Sequence, residues 1–234
     1  MFSFKQFNIQ QDKTAMKVGT DGVLLGAWTP LQNNPYSILD IGAGTGLIAL
    51  MLAQRSHAEQ VDALEIDDDA YEQAVDNFEN SPWADRLFCY HAGLDEFMEE
   101  PEDEYDLIVS NPPFYTEDYT SGNDQRDTAR FAASLPFEDL AEAAGLLLSE
   151  KGVFAIVLPY KEEEHFVALM SEEGLTPFKI TRVKGTPTSD IKRSLMAFNY
   201  TKSDIIINEL VIETARHEYT ADYIDLTKDF YLKM

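Results

Sequence analysis

The chain has a single cysteine, Cys89, among 234 residues, so no internal disulfide can form, and a reducing cytoplasm is the expected setting. Cys89 sits in "RLFCYH" and reads as a small core residue. Basic residues are scarce: 18 Lys and Arg stand against 42 Asp and Glu, a net charge of −24, which speaks against broad, nonspecific binding to phosphate backbones. No apolar run reaches the roughly 18 residues of a membrane span. The opening "MFSFKQFNIQQDK" lacks the uninterrupted apolar core of a signal peptide. His57, His91, His165 and His217 are scattered without compact ligand spacing, so no metal is expected. No serine or cysteine is marked by its context as a nucleophile. With 44% apolar and 12% aromatic residues, the chain has the composition of an ordinary globule.

Periodicity supplies an organisation. "YSILDIGAGTGLIALMLAQR" (Tyr36 to Arg55) reads as a strand, a glycine-rich turn and a helix. "QVDALEI" (Gln60 to Ile66) predicts a second strand, and Asp68 to Asn80 a helix with acids in its first turn. "RLFCYH" and "YDLIVS" predict strands three and four, joined through the acidic loop Glu99 to Glu104. A helix from Pro136 to Gly152, a buried strand "VFAIVLP" and a helix from Lys161 to Gly174 follow. The strand-like pieces "LTPFKITRV", "RSLMAFNY" and "IIINELVI" come last. Strands alternating with helices and then a β-rich end predict one α/β domain: a mostly parallel sheet with an antiparallel addition.

Two segments carry chemistry. In "DIGAGTG" the glycines Gly42, Gly44 and Gly46 let the backbone turn tightly beneath a ligand, Asp40 precedes them, and Glu65 ends the next strand. A carboxylate there can accept both ribose hydroxyls of a nucleoside. Two acids suit a nucleoside with a cationic attachment, S-adenosylmethionine, better than a pyrophosphate. The Gly-x-Gly-x-Gly spacing also differs from the Gly-x-Gly-x-x-Gly of nicotinamide sites, the other cofactor reading. The second segment is "NPPF", Asn111 to Phe114, at the end of strand four, where two prolines force a rigid extended path. The Asn111 side-chain oxygen and the Pro112 carbonyl can accept the two hydrogens of a conjugated amine, and Phe114 can stack on the flat group that carries it. No general base is needed at the start, because the nitrogen turns acidic only after methylation.

From Lys179 to Lys202 six basic residues are accompanied by one acid, Asp190, so a basic strip on an acidic body is expected, with a solvated strand pair as the plain alternative.

Together these segments resemble the class I methyltransferases that carry Asn-Pro-Pro-aromatic, and most closely the bacterial tRNA (adenine-N6)-methyltransferase family. The resemblance extends over nearly the whole chain: "FSFKQFNIQQDKTAMKVGTDGVLLGAW", "ILDIGAGTGLIALMLAQR", "YDLIVSNPPFY", Ala129–Arg130 and "YTADYIDLTKDFYLK". It implies a Rossmann-like, seven-stranded sheet with helices on both faces. It also implies one domain over residues 1–234, in which 1–35 closes on the cofactor, 36–160 forms the core and 161–234 supplies the last strands. The implied donor is S-adenosylmethionine and the implied acceptor is adenine 37 of valine tRNA. Carried over by position, Asp40, Gly42, Gly44, Gly46, Glu65, Ile66 and Thr20 hold the cofactor, with Gly93 and Leu94 near its adenine. Asn111, Pro112 and Phe114 hold the target base. Arg126, Arg130, Arg182, Lys184, Lys192 and Arg193 are the RNA-contact candidates. Gly93 stands where related enzymes often place an acid, and Asp95 could replace it only if the loop shifts. A glutamine methyltransferase acting on a release factor shares the acceptor device, and a noncatalytic nucleotide-binding module is the reading outside enzymology.

Overall fold

Along Ser37–Ile41 the side chains alternate between two apolar layers: Ile38 faces one cluster with Val61, Ala63 and Leu107, while Leu39 and Ile41 face another with Leu64 and Ile108. A strand buried on both faces belongs at the centre of a doubly covered sheet. The computed structural model describes residues 1–14, 16–99, 104–113 and 135–234. Its strands are β1 (Phe2–Ser3), β2 (Asn8–Ile9), β3 (Ser37–Ile41), β4 (Gln60–Glu65), β5 (Leu87–His91), β6 (Tyr105–Ser110), β7 (Leu148–Pro159), β8 (Thr176–Lys184), β9 (Ile191–Asn199), β10 (Ile206–Val211), β11 (Glu213–Ala215) and β12 (Glu218–Tyr219). The helices are α1 (Thr20–Trp28), α2 (Leu47–Arg55), α3 (Asp68–Glu79), α4 (Leu94–Glu99), α5 (Phe137–Leu147), α6 (Glu163–Glu172) and α7 (Ala221–Thr227).

The main sheet runs β10-β8-β9-β7-β6-β3-β4-β5. From β7 to β5 all neighbours are parallel, whereas β9 lies antiparallel between β7 and β8. The chain leaves β3 in one direction through β4 and β5 and returns on its other side as β6. That reversal opens a crevice outside the carboxyl ends of β3 and β6, where ligands bind in open α/β sheets. One apolar layer contains α1 and α2, and the other contains α5 and α6.

Among the described residues the sheet has eight strands, one more than the seven expected. Both edges of β9 are taken, so the chain can continue the sheet only beyond β8, and β10 pairs parallel to β8 with Ile206 opposite Lys179. The helix expected to run from Pro136 to Gly152 ends at Leu147, and β7 begins at Leu148. The run "GLLL" is apolar at every position and carries no periodicity to mark the change. A short helix, α4, occupies Leu94–Glu99, where no element was expected. Of the acidic loop, residues 100–103 lie outside the described residues.

The two ends of the chain meet. Phe4 bridges Tyr231, Lys5 N–H donates to the Phe230 carbonyl at 2.8 Å, and the Phe4 ring stacks on Phe7. Residues 1–9 therefore pack on the tail that follows α7.

Candidate active site at the sheet switch point

The glycine turn is stitched to the neighbouring strand. Gly42 and Ala43 donate to the Leu64 carbonyl at 3.0 and 2.9 Å, and all three glycines have left-handed backbone, with φ of 73°, 57° and 76° at Gly42, Gly44 and Gly46. L-residues reach that region only at a cost, so the path requires glycine. The three differ in what surrounds them. A side chain at Gly42 would meet Leu135 Cδ1 at 2.8 Å, one at Gly46 would overlap the Phe78 ring, and one at Gly44 would meet nothing within 4 Å among the described residues. Gly42 and Gly46 are thus needed for packing as well as for the turn, and Gly44 faces the open space that a ligand can enter.

Asp40 and Glu65 flank this space in different ways. Glu65 is buried and held by two backbone amides: Gly44 donates to Oε2 at 2.7 Å and Asp67 to Oε1 at 2.9 Å. A carboxylate has about four lone-pair sites, so two remain for hydroxyl donors such as those of a ribose. Asp40 is fully buried; Ala49 N–H, in the first turn of α2, donates to Oδ2 at 3.0 Å, while Oδ1 has no partner among the described residues. Burial pushes the Asp40 carboxyl up to about 7, against the amide bond from Ala49 and with a contribution from nearby Glu65. An unsatisfied buried oxygen beside the glycine turn fits a ligand carrying an ammonium group, and S-adenosylmethionine carries one.

This geometry has a pH consequence. The neutral form of Asp40 is favoured in the fold, so its contribution to stability is fully present below the unfolded pKa of 3.8 and is lost as pH rises through the folded value of about 7. In thermal melts of the free protein, Asp40→Asn should flatten the fall in stability across that window. S-adenosylhomocysteine should bind the native protein more tightly as pH approaches about 7 and Asp40 ionises, a trend that the variant loses.

On the nucleoside side, Ile66 is 51% exposed at the end of β4. A side chain at Gly93 would lie 3.5 Å from Ile66 Cδ1 and 2.5 Å from Asp95 Oδ1. Ile66, Gly93 and Asp95 therefore share one corner, with the Asp95 carboxylate in the space that an acid at position 93 would enter. Leu94 is buried at the start of α4.

Across the crevice, Ser110 Oγ donates to the Ile41 carbonyl at 2.9 Å and locks the end of β6 to the end of β3. Asn111 emerges there half-buried, followed by buried Pro112. Within the described residues no hydrogen bond engages the Asn111 amide. A side chain at Gly22, in the first turn of α1, would come within 3.9 Å of Asn111 Nδ2, so the N-terminus of α1 stands over Asn111. Thr20, the first residue of that helix, is exposed at its mouth. Phe114, Arg126 and Arg130 lie outside the described residues.

The remaining basic candidates cluster where β8 ends and β9 begins, at the same end of the sheet. Three of the four carry acids: Arg182 bonds Glu163 at 2.7 Å, Lys184 pairs Glu209 at 2.8 Å, and Arg193 pairs Asp21 of α1 at 2.8 Å. Lys192 is exposed and outside these pairs. Glu163 is buried and also accepts from Ser194 Oγ, so Arg182 is a structural partner first. Its guanidinium also sits 5.3 Å from the ring centre of half-exposed Tyr160. The Asp21–Arg193 pair ties this strip to the helix that covers Asn111.

Sequence reading missed Asn77 and Gln73, buried amides on α3 that contact the opening segment. The signal was available: Ala70, Gln73, Ala74, Asn77 and Phe78 form the buried face of an otherwise acidic helix, and two amides interrupt it.

Comparison with known proteins gives the family. A family model described as methyltransferase small domain matches residues 23–172. The chain is 71% identical to the tRNA1(Val) (adenine(37)-N6)-methyltransferase of Flavobacterium johnsoniae and 72% identical to the protein of the same name from Flavobacterium psychrophilum, with 100% of each chain covered in both cases. A solved structure of a predicted O-methyltransferase from Agrobacterium tumefaciens is similar in fold, with a TM-score of 0.69 at 20% identity over 90% of this chain and 96% of that one. With the glycine turn, its two acids and Asn-Pro-Pro placed around one crevice, and with identity of this level over its full length, the chain belongs to the tRNA1(Val) (adenine(37)-N6)-methyltransferase family.

Proposed function

We propose that Asn111, Pro112 and Phe114 hold the exocyclic amine of adenine 37 while Asp40, Gly42, Gly44, Gly46, Glu65, Ile66, Gly93, Leu94 and Thr20 line the S-adenosylmethionine site. The enzyme methylates N6 of that adenine in tRNA1(Val). One observation supports the site assignment above the others: the Ser110 bond to Ile41 sets the Asn111 amide beside the glycine turn. When bound, the donor supplies an electrophilic methyl group on a sulfonium. The protein's share is to orient the amine and to exclude alternatives. Two acceptors, Asn111 Oδ1 and the Pro112 carbonyl, fix the two hydrogens and favour a more tetrahedral nitrogen. The same oxygens stabilise the positive charge that develops on it. The Asp40 carboxylate faces the ammonium, and Glu65 takes the ribose hydroxyls. Residues 1–35 and 161–234 work as parts of one domain with the core 36–160, in the cytoplasm where the tRNA is found.

The test is transfer of labelled methyl to unmodified tRNA compared with a release factor. Label in RNA alone is expected, and label in the protein with unlabelled RNA would favour the glutamine reading. For the RNA face we assign Lys184, Lys192 and Arg193, with Arg182 positioned through Glu163 and with Arg126 and Arg130 completing the set. Replacing Lys184 and Lys192 by alanine should lower the slope of log affinity against log salt by about 0.7–0.9 for each phosphate that is no longer neutralised. An unchanged slope in filter binding would remove this strip from the interface.

A further inference from the structure

Residues 10–14 and 16–18 lie between α3 and the N-terminus of α1, and among the described residues the polar groups that fasten them are few. Asn77 is buried, and its amide is fully used: Oδ1 accepts from Gln10 N–H at 2.8 Å, while Nδ2 donates to the Gln10 carbonyl at 3.0 Å and to the Thr45 carbonyl at 2.9 Å. The first two bonds treat Gln10 as a neighbouring strand would. The third reaches the glycine turn. One turn earlier, Gln73 is equally buried, and its Oε1 accepts from Asp12 and Lys13 N–H, both at 3.0 Å. Farther along, Gln11 Oε1 accepts from Val18 N–H at 2.8 Å and closes the segment on itself. The ion pairs of Lys13 with Glu72 and Asp76 are exposed and contribute little.

A buried amide is costly unless every group is bonded, and an apolar residue would pack that face of α3 more simply. The bonds themselves show what the amide accomplishes: one side chain joins the cofactor turn and the segment that leads to Asn111.

We propose that Asn77, supported by Gln73, is a positioning residue that fixes residues 10–14 and the start of α1 over the amino-acid end of S-adenosylmethionine. The end is set by the layout. Glu65, Ile66 and Gly93 mark the nucleoside side at β4 and β5, whereas the segment runs toward α1, Asp40 and Asn111 on the other. The inference rests on the cofactor assignment above, so its test contains a ligand that probes that assignment separately.

Asn77→Ala is expected to raise KM for S-adenosylmethionine about tenfold while kcat at saturating donor changes less than about threefold, because the loss falls on ground-state binding. S-adenosylhomocysteine should bind about tenfold more weakly, yet 5′-methylthioadenosine, which lacks the amino-acid end, should bind within about twofold of the native protein. Hydrogen exchange at Gln10, Asp12 and Lys13 should quicken. Gln11→Ala loosens the same segment without touching the core, and it should weaken S-adenosylhomocysteine by about threefold and leave 5′-methylthioadenosine binding unchanged even where Asn77→Ala fails to fold. A merely structural Asn77 would lower the active fraction and kcat with KM unchanged, which overturns the proposal. Equal weakening of both ligands also overturns it, and loss of 5′-methylthioadenosine binding by Glu65→Ala confirms independently that the cofactor site is where it is drawn.

Discussion

Asn111→Ala is expected to lower kcat for tRNA methylation by about 10²–10³-fold while S-adenosylhomocysteine binds within about twofold of the native affinity. The reason is spatial. Asn111 lies on the β6 side of the crevice, beneath the N-terminus of α1, where a side chain at Gly22 would come within 3.9 Å of its Nδ2. The residues assigned to the donor, Thr20 at the start of α1 apart, are on β3, β4 and the segments that follow β3, β4 and β5. Removing the amide therefore takes one of two acceptors from the amine and leaves the turn, Glu65 and Asp40 in place. Asn111→Asp keeps an acceptor oxygen and should retain at least about tenfold more activity than the alanine variant. Isothermal titration with S-adenosylhomocysteine and single-turnover methylation separate the two effects. A parallel loss of cofactor binding would move Asn111 into the donor site.

Gly46→Ala should destabilise the protein by about 2–4 kcal/mol, the sum of a left-handed backbone carrying a side chain and an overpacked contact. At this chain length that lowers Tm by roughly 5–15 °C. The backbone at Gly46 has φ of 76°, and the added methyl would overlap Phe78, a core residue 2% exposed. Phe78→Leu in the same chain should recover part of the loss, because it vacates the contested space. Gly44→Ala serves as the contrast. Its φ of 57° is also left-handed, but nothing among the described residues lies within 4 Å of an added methyl, so stability should fall by only about 1–2 kcal/mol while donor affinity drops. Melting curves and cofactor titrations on the two variants distinguish a glycine kept for packing from one kept for the ligand.

The sequence was most legible where local pattern and topology agree. β3, the glycine turn, α2 and the acidic start of α3 could be read directly, because apolar spacing, glycine and capping chemistry all act within a few residues. Asp67 does cap α3, accepting from Ala70 N–H at 2.9 Å. Legibility faded where partners are distant. The basic strip looked free because only one acid lies within it, yet Arg193 pairs with Asp21, 172 residues away, and Arg182 with Glu163. Folding brought those acids in from α1 and α6. The corner at Gly93 followed the same logic: the Asp95 carboxylate stands where a side chain at Gly93 would begin, because α4 turns Asp95 back over Gly93. The parallel placement of β10 could not be read from Ile206–Val211, since it follows from both edges of β9 being occupied and from the short return at 200–205, which starts β10 at the end of the sheet where β8 starts.

Our proposal is that an adenine amine of tRNA1(Val) is methylated in the crevice between β3 and β6, with Asn111 presenting that amine. Mass spectrometry of nucleosides and of mapped fragments, after incubating the protein and S-adenosylmethionine with unmodified total tRNA, puts both halves of that assignment to the test at once. The expected product is N6-methyladenosine confined to position 37 of tRNA1(Val), absent with Asn111→Ala. Methyl groups on another nucleoside atom, or an undiminished yield from that variant, would contradict the assignment.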